Sequence, residues 1–260
     1  MPKIAIVAAL EREVSGLTRG WSRLQQEYQG RSFIFFERDE IVLVCGGIGV
    51  QAARRAAEAV IALYRPTLVQ SVGFAGALHP GLRVGDVFAP AVVIDARDGS
   101  RAEVDGGEGT LVTFMTVAGA EQKANLARAY QAQAVDMEAA AVAATARAHG
   151  IGFAATKVIS DELDFEMPGI DRRMDRFIDA QGRFRTLNFA LFVALRPWLW
   201  RRVAMLAGNS RKAAKALGQH LERFRQGLSQ PPGRVAPPPT AAHSTPQPAP
   251  TSGLSARSRE

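Results

Sequence analysis

The chain has 260 residues, 47% of them apolar, with 32 Lys and Arg against 25 Asp and Glu. That size suits one α/β domain of about 200 residues plus a tail, and no uncharged apolar run reaches the roughly 18 residues a membrane-spanning helix needs. A single cysteine, Cys45, excludes an internal disulfide and fits a reducing cytoplasm, while His79, His149, His220 and His243 lack metal-ligand spacing, so neither metal nor cofactor is expected.

The net charge of +7 is unevenly placed. Residues 171–260 hold sixteen Lys and Arg against five acids, which leaves residues 1–170 at −4. An acidic body argues against a nucleic-acid-binding core, and the basic arm leaves an anionic surface, membrane or RNA, open to it.

Met1-Pro2-Lys3 leads directly into an apolar strand, Ile4–Ala9, leaving no room for a signal peptide. Leu10-Glu11-Arg12-Glu13-Val14 follows, so two acids fall at the carboxyl end of the first strand, where open α/β sheets bind ligands. They are equally readable as first-turn helix acids favoured by the dipole. Arg31–Glu37 and Glu40–Cys45 read as successive strands, a hairpin about Arg38-Asp39.

Gly47-x-Gly49-x-x-Ala52 formally matches a dinucleotide fingerprint, with a helix running to about Tyr64. The acid that should follow about 20 residues later is missing from Thr67–Gly73. A glycine turn offering backbone N–H groups to a small anion or hydroxyl fits better. Gly73-Phe74-Ala75-Gly76-Ala77-Leu78 is a second glycine-rich strand-to-loop junction. Beyond it, Val87–Ile94 reads as a strand, 97–110 as a loop, Leu111–Val117 as a strand and Ala120–Tyr130 as a helix.

Ala134-Val135-Asp136-Met137-Glu138 then passes from a strand to the head of an alanine-rich helix ending near His149-Gly150. Small methyl faces pack closely, so Glu138 is expected to leave bulk water. A buried carboxylate then needs hydrogen bonds, which a ribose can supply. The alternative is a helix-first-turn Glu stabilised by the macrodipole. Phe153–Asp161 is a further strand ending in Ser160-Asp161. The alternation of strands and helices predicts an α/β fold with a mixed, twisted sheet.

From Phe184 to Leu195 the chain is apolar and aromatic, and Arg196-Pro197 interrupts it before Trp198-Leu199-Trp200-Arg201-Arg202. Trp and Leu among arginines at helical spacing suit an interfacial amphipathic helix, or else a terminal helix packing Trp198 and Leu199 on the domain. The expected domain is residues 1–228, with its basic helical end at about 184–228. Residues 229–260 are expected to be a disordered Pro-rich tail.

Three separated pieces together resemble the purine nucleoside phosphorylase superfamily, in its methylthioadenosine/S-adenosylhomocysteine nucleosidase branch. They are Ile4–Val14, Val135–Ala139 and Val158–Asp161, with Gly47-Ile48-Gly49, Gly73–Leu78 and Val84–Val87 between them in the family's order. The resemblance covers about 3–165. It implies a three-layer fold with a central mixed sheet, hydrolysis of a nucleoside's N-glycosidic bond with release of adenine, a small-molecule nucleoside partner and a cytoplasmic homodimer.

It also implies roles: Glu13 activates the attacking water, Glu138 binds the ribose 2′- and 3′-hydroxyls over Met137, and Asp161 hydrogen-bonds or protonates purine N7. Ser160, Gly47, Gly49, Phe74, Ala75 and Gly76 fall with the substrate-binding positions. Phosphorylases of the superfamily hold phosphate with Gly and Arg after the first strand. Here Glu11 and Glu13 flank Arg12, so water is the expected nucleophile and phosphate the alternative.

The chain also departs from the pattern. Phe74 replaces a small hydroxyl residue, Asp86 and Met137 stand only about 50 residues apart, and Thr113–Lys123 replaces the stretch carrying the base-pocket aromatic. The shortened form also looks like hopanoid-associated nucleosidases, which act on lipid-linked adenosine. A nucleoside-binding module tethered to a membrane is the non-enzymatic alternative.

Overall fold

The computed structural model describes residues 3–165, 176–179, 182 and 184–229. The Pro-rich segment 230–260 lies outside the described residues.

Among the described residues, eleven strands form one mixed sheet. They are β1 (Ile4–Ala8), β2 (Ser22–Tyr28), β3 (Arg31–Arg38), β4 (Ile41–Cys45), β5 (Leu68–Ala77), β6 (Val87–Phe88), β7 (Val92–Asp95), β8 (Arg101–Glu103), β9 (Thr110–Thr113), β10 (Ala134–Asp136) and β11 (Gly152–Asp161). The order is β2-β3-β4-β1-β5-β10-β9-β7-β8, with β11 on the other edge of β5 and β6 beyond it. The helices are α1 (Glu11–Val14), α2 (Val50–Tyr64), α3 (Ala120–Tyr130), α4 (Ala139–Ala148), α5 (Thr186–Ala194) and α6 (Pro197–Ser229).

The period-2 alternation of a strand sorts the layers. In β1, Ala5 and Val7 face one core with Ala53, Ala56, Val60 and Val142 of α2 and α4. Ile4, Ile6 and Ala8 face the opposite core with Val14, Ala213, Leu217 and Leu221 of α1 and α6. The α/β class with helices on both faces of a mixed sheet is therefore the fold that forms.

Several segments differ from the sequence expectation. Val87–Ile94 is two strands, because Pro90 has no N–H to place in a ladder. Past it, Ala91 N–H turns to Gly109 O at 2.9 Å, so β6 pairs with β11 while β7 pairs with β8 and β9. The expected strand Leu111–Val117 stops at Thr113, and the loop 97–110 contains β8. The outer strand β2 has no counterpart in the sequence reading, since its face is mostly exposed and polar.

The basic C-terminal helix is not an appendage. Leu217 and Leu221 are fully buried against the sheet, and Leu199 packs on Phe165, Phe189 and Phe192. Trp198 and Trp200 stay 71% and 55% exposed, so of the expected Trp198–Leu199 pair only the leucine packs inward. No helix of the described residues is long and apolar enough to cross a membrane. Leu217→Ala should cost about 2–5 kcal/mol in urea unfolding, as a buried leucine does. A loss under about 0.5 kcal/mol would mean that α6 is not part of the core.

Candidate active site

The site lies where one edge of β5 changes partner. Leu68–Ser71 pair with β1 in parallel, and Gly76–Ala77 pair with β10 antiparallel. The carboxyl ends of β1 and β10 therefore point at each other along that edge, across Val72–Ala75. On the other edge β11 runs parallel to β5 and ends at Asp161. Three chain ends carrying acids converge there.

A buried ion pair floors the gap. Lys157, opposite Gly73 in the β5–β11 register, sends Nζ to Asp136 Oδ2 at 2.8 Å and to Ser71 Oγ at 3.0 Å. Both charged side chains are almost fully buried. Asp136 also accepts Thr113 Oγ1 at 2.6 Å and the Ala139 N–H at 2.8 Å, and Thr113 Oγ1 in turn accepts the Ala140 N–H at 3.0 Å. The first N–H groups of α4 are thus capped by Asp136 and Thr113, which spares Glu138 that duty. Glu138 instead accepts Gly49 N–H at 2.9 Å and Met137 N–H at 3.3 Å. The small anion served by the Gly47–Gly49 turn is this carboxylate of the chain itself.

Glu13 stands across the gap on α1, 5% exposed, with Leu10 N–H 3.5 Å from Oε2. Gly73 makes its place: φ is +147°, and a Cβ there would lie 2.9 Å from Glu13 Oε2. Burial, and secondly the charge of Glu138, push the Glu13 carboxyl up to about 7 against the pull of Lys157 and Arg12. Burial and then Asp136 push Glu138 up to about 7 as well. Burial opposes the charge on Lys157, but Asp136 and Glu138 outweigh it and its pKa rises.

At the end of β11, Asp161 Oδ1 accepts Ser160 Oγ at 2.7 Å, and Oδ2 accepts Lys123 Nζ of α3 at 2.5 Å. Gly76 is the glycine these groups need, since a Cβ there would stand 2.8 Å from Asp161 Oδ2 and 3.3 Å from Lys123 Cε.

Glu13, Asp136, Glu138, Lys123, Ser160 and Asp161 line one cavity of about 660 Å³, with Lys157 beneath its floor. Of the residues singled out from the sequence, Glu13, Phe74, Ala75, Gly76, Met137, Glu138, Ser160 and Asp161 line it. Gly49 reaches it only through its bond to Glu138, and Gly47 is not among the lining residues. Lys157, Asp136 and Lys123 were missed. The available signal was a lone lysine inside an otherwise apolar strand, which needs a buried partner. The outer wall is mostly apolar, from Phe184, Phe189 and the α6 residues Val203, Leu206 and Ala207, with Ser210 and Arg211 further along α6.

The sequence profile of the phosphorylase superfamily matches residues 3–116 and 108–193, and the chain belongs to that superfamily. Within it, the chain is 31% identical over 91 residues to the 5′-methylthioadenosine/S-adenosylhomocysteine nucleosidase of Buchnera aphidicola, covering 34% of this chain and 39% of that enzyme. The first such relatives are thus matched over under two-fifths of their length. A longer match, 27% identical over 206 residues, covers 63% of this chain and 87% of the enzyme of that name from Actinobacillus succinogenes. The structure of Arabidopsis thaliana 5′-methylthioadenosine nucleosidase superposes with a TM-score of 0.67 at 17% identity, covering 89% of this chain and 98% of that one, and shares its fold.

The raised carboxyls give stability a definite pH dependence. A carboxyl whose folded pKa is near 7 and whose ordinary value is 4.5 holds more protons folded than unfolded between those limits, so stability falls as pH rises through them. Glu13→Gln should melt at a higher temperature than the wild type at pH 8 and show a shallower decline from pH 5 to 8. A variant less stable at pH 8 would show that the Glu13 charge is not a burden.

Proposed function

We propose that the chain hydrolyses the N-glycosidic bond of an adenine nucleoside resembling 5′-methylthioadenosine or S-adenosylhomocysteine and releases adenine. The observation that carries the reading is the meeting of Glu13, Glu138 and Asp161 in one cavity. Breaking the bond develops positive charge on the ribosyl ring and negative charge on the base. Glu13, exchanging its proton near neutrality, accepts one from the attacking water. Glu138, held by Gly49 N–H, accepts the ribose hydroxyls above Met137. Asp161 meets N7 of the leaving base, and the carboxylates around the ring ease its charge.

Water as nucleophile is supported by Glu11 and Glu13 on α1, directly after β1, and by Arg12, whose guanidinium lies 5.5 Å over the Phe184 ring. A cytoplasmic homodimer belongs to the same reading. Adenine release from methylthioadenosine should proceed without phosphate or added metal. Asp161→Asn should keep ligand and lose most turnover, whereas Glu138→Ala should also weaken binding by about 1–3 kcal/mol. Ribose 1-phosphate as product, with strict phosphate dependence, would move the chain to the phosphorylases. Full activity in Asp161→Asn would remove the N7 role.

A second reading, lipid-linked adenosine as substrate, is favoured by the apolar outer wall. Beside it Leu191, Leu195, Trp198, Trp200 and Arg201 are exposed, while Arg196 is half-buried over the Phe192 ring. Near an anionic leaflet each basic residue adds about 1 kcal/mol, and the indoles add apolar area. The protein should co-sediment with phosphatidylserine vesicles at low salt, and Leu195→Ser with Trp198→Ser should reduce that at least threefold. Wild-type protein left in the supernatant would exclude membrane attachment.

A further inference from the structure

We propose that Lys123 is a positioning residue of the leaving-group step: it supplies the proton that Asp161 passes to the departing purine. The inference rests on the nucleosidase reading above.

Lys123 is 1% exposed, and its ammonium is committed at one end of the cavity, to Asp161 Oδ2 at 2.5 Å and to the Glu162 carbonyl at 2.6 Å. Two of its three hydrogens are placed by these bonds. Asp161 is oriented from its other side by Ser160 Oγ, and its side chain remains 22% exposed on the cavity wall. The lysine therefore stands behind the acid in the cavity wall, with its ammonium turned to Asp161 and Glu162.

A stabilising role explains this poorly. Burying an ammonium carries a desolvation cost that a buried ion pair often fails to offset, and an apolar residue of similar volume commonly does as well. Of the other cations, Arg211 lines the α6 wall of the cavity, and two are engaged elsewhere. Lys157 is bound to Asp136 and Ser71, and Arg12 lies over Phe184. The bare backbone at Gly76 keeps open the space in which Lys123 and Asp161 meet.

The step balances as a relay. As the bond between C1′ and N9 breaks, its electron pair stays on the purine. One proton moves from Lys123 Nζ across Asp161 Oδ2 to N7, leaving a neutral amine, a carboxylate and neutral adenine. The water that adds to C1′ gives its proton to Glu13, and solvent reprotonates Lys123 after adenine leaves.

The test compares leaving groups. Methylthioadenosine must lose a base that needs a proton, whereas 4-nitrophenyl β-D-ribofuranoside sheds a phenolate that does not. Lys123→Met should lower kcat on methylthioadenosine about 10²–10³-fold, with KM changed less than threefold. It should stay within about threefold of wild type on the nitrophenyl riboside. Lys123→Ala gives a second readout that needs no artificial substrate, since added ethylammonium should restore adenine release at least tenfold. Equal losses on both substrates, or a folded Ala variant indifferent to the amine, overturn the relay and leave the nucleosidase reading standing. A wild-type protein that frees no adenine from any nucleoside overturns both.

Discussion

One buried ammonium makes the acid-rich centre possible. Glu13, Asp136 and Glu138 are crowded into a gap in the sheet with little water to solvate them. Three carboxylates at such range would repel strongly in a medium of reduced dielectric. Lys157 enters from β11 opposite Gly73 and binds Asp136 directly, so one of the three charges is neutralised in place. Burial first, and the neighbouring carboxylates second, push the carboxyls of Glu13 and Glu138 up to about 7. Asp136 is thus the acid that holds the scaffold, while the other two face the cavity.

The same economy shows in how the strands end. β1 and β10 stop short of each other along β5, so the backbone groups at their ends turn to local partners. Glu13 and Glu138 take N–H groups from Leu10 and Gly49, and α4 takes its caps from Asp136 and Thr113. A carboxylate held by backbone has few degrees of freedom left to lose on binding. Asp161 is fixed instead by side chains, Ser160 and Lys123, at the other end of the cavity. The two groups of acids are therefore held by different materials, backbone in one case and side chains in the other.

Much of this was legible in the sequence where a segment's own residues decide its form. The apolar runs of β1, β4 and β11 and the alanine face of α4 announce themselves, and the glycines at 73 and 76 mark close approach. What escaped depends on distant partners. β2 has a polar face and is a strand only because β3 offers an edge along its whole length. Pro90 breaks an otherwise continuous apolar run, and the break matters because the two halves pair with different strands. Lys123 and Lys157 stand 34 residues apart in the chain, and even where an apolar strand betrays a buried lysine, only the fold assigns each its acid.

Helix α6 divides its labour along its length. Val203, Leu206 and Ala207 form cavity wall, whereas Ala213, Leu217 and Leu221 sit in the sheet core one or more turns later. Side chains three and four apart share a helix face, so both sets lie along one continuous inward stripe. The cavity stripe runs on through Ser210, Arg211 and Ala214, so the boundary between wall and core falls near residues 213–214, within a single element. Changes upstream of it can reshape what the pocket admits without unseating the helix, because the downstream leucines keep it in register. The shape of the cavity can thus vary through a few positions of α6 while the acids, mounted on other elements, stay untouched.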